Sequence, residues 1–122
     1  MSTFGELIRL RRRELQMTLG DFAERADIDA GNLSRIENDR VAPPQNQAVL
    51  NRLCIALGYE ADDSEAKHLR DVAAIQNGRI PHDIVENEEV MAKMPLLLRS
   101  VAKHRLNPDE MDRLVELIRE AS

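Results

Sequence analysis

The sequence predicts an all-α protein, and three observations carry that prediction. Only three aromatics (Phe4, Phe22 and Tyr59) occur in 122 residues, so the core must be built from Leu, Ile, Val, Met and Ala, which suits packed helices better than sheets. Apolar residues recur at three- to four-residue spacing along most of the chain. Capping residues precede these runs, and Gly or Pro follows them. The length supports one compact domain, or a small domain with an appendage.

The elements follow in order. Thr3 can cap a first helix in which Phe4, Ile8 (with Leu7), Arg11/Arg12 and Leu15 keep helical spacing. Thr18 with Asp21 three residues on resembles a capping box with a shorter acid, and opens a helix from Leu19 to Ala26 that buries Phe22, Ala23 and Ala26. After the turn Asp27-Ile28-Asp29, Asp29 caps a third helix from Ala30 to Asn38 with Leu33 and Ile36 on its core face. Pro43-Pro44 blocks its continuation. A fourth helix, Gln45 to Leu57, buries Val49, Leu50, Leu53, Cys54 and Leu57, and Gly58 is its stop. Asp63 or Ser64 begins a fifth, with Leu69, Val72, Ala73 and Ile75, which Gly78 ends. Gly78-Arg79-Ile80-Pro81 reads as a connector. Asn87 caps a short helix from Glu88 to Lys93, and Pro95 fits the first turn of another, carrying Leu96, Leu97, Val101 and Ala102. Asn107-Pro108-Asp109-Glu110 unites a cap, an N1 proline and an N3 glutamate, the strongest helix start in the chain. It launches a helix with Met111, Leu114, Val115, Leu117 and Ile118 at amphipathic spacing. No internal repeat or low-complexity stretch is visible.

Composition excludes several classes. No apolar run reaches the ~18 residues of a membrane span, and Met1 to Arg13 lacks the apolar stretch of a signal peptide, so a soluble, cytoplasmic protein is expected. The single cysteine, Cys54, sits between Leu53 and Ile55 as a small core residue, without a disulfide partner. His68, His82 and His104 are scattered and show no metal-ligand spacing. Asp62-Asp63, Glu86 and Glu88-Glu89 lack a base or nucleophile at a useful spacing and read as solvated caps and faces. No glycine-rich phosphate loop occurs. The expectation is a protein that is not an enzyme and needs no metal or cofactor.

The net charge of −5 argues against a nucleic-acid partner until it is located. Residues 1–59 hold eight arginines, no lysine and eight acids, whereas residues 60–122 hold nine basic and 14 acidic residues, so the whole surplus lies in the second half. Arginine is the side chain that grips phosphate and reads guanine with a planar fork. Two functional zones are therefore expected, 1–59 and 60–122.

The helices Leu19 to Ala26 and Ala30 to Asn38, joined by a tight turn, make a helix-turn-helix candidate, in which the second helix enters the major groove. The stretch from Met17 through Leu33-Ser34-Arg35-Ile36-Glu37 resembles the XRE family of prokaryotic and phage repressors, relatives of the lambda-type Cro and repressor proteins, over residues 4–58. That resemblance implies a lambda-repressor-like helix-turn-helix domain, followed here by a C-terminal helical dimerisation segment. With Leu33 and Ile36 inward, a turn of ~100° per residue places Gly31, Ser34, Arg35 and Asn38 on the opposite face, flanked by Ala30 and Asn32. The family uses these positions for bases. Arg35 is the expected guanine reader. Ala30 offers only a methyl contact and Gly31 only backbone, so base reading should be thin and DNA shape correspondingly important.

The resemblance also implies a phosphate contact by Thr18 at the start of the second helix, and Arg40 is a second candidate. Arg12 and Glu37 match a family ion pair that ties helix one to the recognition helix; the other reading is an exposed pair of little worth. Arg11 and Arg13 have two readings, DNA contact or a solvated face. Leu19 stands where the family commonly has glutamine, and Asp27 where the turn usually has glycine, a conformation that Asp tolerates.

Helix-turn-helix modules fold in about 60 residues, so the second half needs its own purpose. A two-fold dimer on a palindrome doubles thin base reading. Leu96, Leu97, Val101, Met111, Leu114, Val115, Leu117 and Ile118 are the expected dimer contacts; packing within one chain on the helices from residue 64 onward is the other reading. The whole points to a dimeric transcriptional repressor bound to a double-stranded DNA operator, and so to the nucleoid. Among relatives of this length, the alternatives are an antitoxin that represses its own operon and neutralises a toxin, or a repressor inactivated by a partner metallopeptidase. A protein-interaction module with a vestigial helix-turn-helix would instead show no salt-dependent DNA binding.

Overall fold

The computed structural model describes residues 2–121, and every regular element among them is a helix. The order is α1 Phe4–Glu14, α2 Leu19–Ala26, α3 Ala30–Glu37, α4 Gln47–Ala56, α5 Ser64–Gln76, α6 His82–Val85, α7 Glu88–His104 and α8 Pro108–Glu120. The chain divides into two compact units, Met1–Pro81 and His82–Ser122. No helix of the described residues is long and apolar enough to cross a membrane.

The first unit is built from local signals that a shared core then fixes in place. Thr3 caps α1 by accepting from the Glu6 amide at 3.1 Å, and Thr18 and Asp21 close a full capping box on α2. Asp27 ends α2 in the left-handed region at φ 54°, and Asp29 caps α3 by accepting from the Asn32 amide at 2.9 Å. Phe4, Ile8, Phe22, Leu33, Leu53 and Leu57 form the fully buried centre, each worth about 1.5–3 kcal/mol of transfer free energy. Cys54 is also buried, as its apolar neighbours require.

Packing places the division of the chain later than charge does. Ala66, Leu69 and Ala73 of α5 join the core of the first unit, where α5 packs on α1 and α4. A boundary at residue 59 would strip these side chains away, so the N-terminal unit extends to Pro81 rather than to residue 59. The acidic surplus begins inside that unit; the charge step at residue 60 marks surface, not domain.

The second unit contrasts in burial. α8 opens with the expected box, Asn107 accepting from the Glu110 amide at 2.8 Å and Glu110 Oε1 accepting from the Asn107 amide. Residues 82–85, to which the sequence reading gives no element, form the single-turn α6. One expectation fails here. The two short helices expected around Pro95 are one continuous α7 with Pro95 inside it. Proline there forfeits the amide that would bond the Met91 carbonyl, but good helix formers on both sides carry the helix through. A single register follows for the whole of α7. Met91, Met94, Leu97, Leu98 and Val101 then share one side, while Leu96 falls among Glu89 and Lys103 on the other. None of the residues of α6, α7 or α8 is buried, and Leu97, Met111, Val115, Leu117 and Ile118 stand 39–62% exposed.

Candidate nucleic-acid interface

α2 and α3 pack on each other, α2 also on α4 and α3 on α1, so α3 is braced from two sides. Its inward residues are Leu33, Ile36 and Glu37; Ala30, Gly31, Asn32, Arg35 and Asn38 are exposed and Ser34 is half-buried. The outward face expected from periodicity is therefore the outward face of the fold. The Arg35 carbonyl accepts from the Arg40 amide at 2.9 Å, but neither the Arg35 nor the Arg40 side chain has a hydrogen-bond or ion-pair partner among the described residues. An extended guanidinium without an internal partner is free to meet a base edge or a phosphate.

Asn38 is placed differently from a free reader. Its Nδ2 donates to the Ser34 carbonyl at 2.8 Å and its Oδ1 accepts from Arg9 Nη1 at 3.3 Å, so both ends of the amide are engaged within the protein. In this geometry it braces the end of α3 against α1. Thr18 is exposed at the start of α2; its hydroxyl oxygen accepts from the Asp21 amide at 3.0 Å, which leaves the hydroxyl hydrogen available to a phosphate. The same Asp21 reaches back to the Thr18 amide at 3.4 Å and brings negative charge to that helix end.

Beside this packing, a largely buried fork ties α3 to α1. Arg12 Nε donates to Glu37 Oε2 at 2.8 Å and Nη2 to Oε1 at 2.9 Å, while Nη1 donates to the Met17 carbonyl at 3.0 Å. Glu37 is 3% exposed, so the exposed-pair reading does not apply. The hydrogen bonds to Glu37 push the Arg12 guanidinium further up, and burial only partly opposes them, so the guanidinium keeps its charge. A bidentate pair of this kind fixes both helices in angle as well as distance.

Several supporting residues carry no sequence signal of their role. Gly5 lies where α1 meets the end of α3, and a Cβ there would sit 2.2 Å from the Ile36 carbonyl oxygen, so only glycine allows this backbone approach. A glycine in a helix's first turn was the available hint. Arg52 Nε donates to the Ala26 carbonyl at 3.0 Å and secures the end of α2. Arg11 is turned away from the DNA-contact reading: it donates to the Leu57 carbonyl at 3.2 Å and lies 4.7 Å over the Tyr59 ring. Arg13 is exposed.

Other clusters stand apart from this face. A cavity of about 290 Å³ is lined by Leu7, Leu10, Arg11, Tyr59, His68 and Leu69 among others, with nothing contributed by α2 or α3. Glu60, Asp62 and Asp63 bring carboxylates within 4.8 Å of one another at the approach to α5, where Asp63 Oδ2 accepts from the Glu60 amide at 2.7 Å. A cleft of about 520 Å³ adjoins α3 itself, between Asp29 and Asn32 on one side and Val41, Gln45 and Asn46 on the other. No curated protein and no solved structure matches the chain. A family model described as a helix-turn-helix domain matches residues 3–69, which span α1 to the middle of α5 and hence the core and the α2–α3 face together. The chain belongs to the helix-turn-helix domain family.

Proposed function

We propose that the protein is a sequence-specific DNA-binding transcriptional regulator of the XRE type, a dimeric repressor that occupies a palindromic operator with α3 in the major groove. The observation that carries this reading is the exposed, internally unpartnered Arg35 on a helix that the buried Arg12–Glu37 fork holds still. Arg35 reads a guanine through O6 and N7, Asn32 and Ser34 add shorter contacts, and Ala30 and Gly31 let the helix approach closely. Thr18 and Arg40 grip phosphates on either side. No catalytic step is involved.

One arginine per half-site is a thin reading. Two copies related by a two-fold axis read two half-sites about 34 Å apart and double it. The segment 82–122 supplies the second copy's contacts through Leu97, Val101, Met111, Leu114, Val115, Leu117 and Ile118, whose apolar surface has no cover in the single chain. Leu96, on the charged side of α7, is a peripheral contact at most. That same uncovered surface supports the second reading, an antitoxin holding its toxin or a repressor addressed by a metallopeptidase. Co-purification separates the two: a cognate protein retained at equal stoichiometry supports the second reading, and a bare homodimer the first.

In vitro selection of bound DNA from a random pool tests the main reading. It should return an inverted repeat with a guanine at a fixed place in each half-site. Recovery of no enriched sequence would contradict sequence-specific binding.

A further inference from the structure

Helix α1 meets the end of α3, and a series of contacts fixes it there. The Thr3 hydroxyl donates to Asp39 Oδ2 at 2.9 Å, Gly5 admits the Ile36 carbonyl, and Arg12 forks onto Glu37. Arg9, on the same helix, is placed differently. Its Nη1 donates to Asn38 Oδ1 at 3.3 Å, and the Asn38 side chain lies back along α3, where Nδ2 donates to the Ser34 carbonyl at 2.8 Å. Asn38 is exposed and belongs to the outward face of α3. The Arg9 guanidinium therefore stands at the edge of the face that carries Ser34 and Arg35.

The contact to Asn38 is with a neutral amide, and it uses one N–H of a guanidinium that has several. Among the described residues no carboxylate pairs with Arg9: Asp39 is engaged by Thr3, and Glu6, three residues earlier on α1, makes no ion pair with it. The positive charge is left unbalanced while its side chain is half-buried and its head is tethered. A planar fork that is already placed loses little freedom on meeting an anion. The major groove admits a single helix, so a side chain that reaches the reading face from a second helix meets the wall of the groove, which is phosphate, and not its floor. Phosphate oxygens are also what the unused N–H groups of a guanidinium match best.

We infer that Arg9 is a phosphate contact of the DNA interface: α1 grips the backbone beside the C-terminal end of α3, and Asn38 holds the guanidinium in place for it. This rests on the DNA-binding reading above and adds α1 to the contacts expected from α2, α3 and Arg40.

Binding of the full chain to the selected DNA over a range of salt tests it, with Arg9→Ala and Arg9→Gln beside the parent. Glutamine keeps an N–H for Asn38 but carries no charge, so it separates the brace from the phosphate contact. Both variants should bind several-fold more weakly and lower the slope of log K against log salt by about 0.9 for each half-site bound, the share of one phosphate contact. The loss should be the same on an unrelated duplex, because a phosphate contact carries no sequence preference. Duplexes with a single uncharged methylphosphonate then locate the contact: the position that weakens the parent should have no further effect on either variant. Thermal melts run alongside, because a merely structural brace would lower the melting temperature and leave the salt slope at its parental value. An unchanged slope in both variants, or methylphosphonates that all weaken the variants as much as the parent, would overturn the inference while leaving DNA binding intact. A parent chain with no salt-dependent binding would overturn the DNA-binding reading itself, and this inference with it.

Discussion

Helices α2 and α8 both open with a capping box, and both are strongly amphipathic, yet α2 buries Phe22, Ala23 and Ala26 while α8 buries nothing. The same contrast holds between the units they belong to. Residues 2–81 close a core around Phe4, Phe22 and Leu33; the helices of residues 82–121 keep their apolar stripes uncovered. Caps and periodicity thus decide where a helix forms and which side is apolar. They do not decide what covers that side. In the first unit the cover is the same chain, and the result is a rigid platform for α3. In the second the apolar side stays open, and our proposal is that a second copy covers it.

The largest expected effect breaks the platform. Glu37→Ala leaves the Arg12 guanidinium buried without its partner and should cost about 3–5 kcal/mol in denaturant unfolding of the full chain. A loss under about 1 kcal/mol would mean that the pair behaves like an exposed one. Next comes the opposite unit. Leu117→Asp should leave the first unit's unfolding unchanged but weaken self-association by about 100-fold in sedimentation, because an unpaired polar group buried at an interface costs about 3 kcal/mol. If dimerisation survives that substitution, the stripe on α8 is not the interface.

The smallest effect concerns alkaline pH and again separates the units. Burial pushes the Cys54 thiol up, with Arg70 opposing, and burial also pushes the Tyr59 phenol up, with Arg11 opposing. The folded chain then holds both protons more tightly than the unfolded chain. The stabilisation that this represents is complete below the ordinary thiol and phenol values and is lost as pH climbs through the raised ones. Urea midpoints for the first unit should therefore decline between about pH 8 and pH 11, and Cys54→Ala should make the decline shallower. A midpoint that rises over this range would show the sign to be wrong.

What could be read in advance followed the range of the interaction. Thr18, Asp29 and Asn107 act on amides three residues away, so their caps were legible, and so was the inward turn of Leu33 and Ile36. The Arg12–Glu37 fork spans 25 residues and was visible only through family resemblance. Gly5 against Ile36, Asn77 against Pro43 and Gln76 against Phe4 were not foreseen, the last two joining residues 34 and 72 positions apart. The role of α5 was missed for the same reason: its charge belongs with the acidic second half and its packing with the first. Asn38 shows a further limit, since periodicity placed it outward correctly without revealing that Arg9 and Ser34 take up its amide. At Pro95 a sound local rule lost to the helix-forming sequence on both sides of it.

The proposed division of labour turns on Arg35, the exposed guanidinium on the outward face of α3. Titration of the selected operator with the parent and with Arg35→Ala, alongside an unrelated duplex at the same salt, tests it most directly. We expect Arg35→Ala to lose about 1–3 kcal/mol of operator binding per half-site, roughly 5- to 150-fold, while its affinity for the unrelated duplex falls far less. Equal losses on both duplexes, or none on either, would contradict base reading by α3.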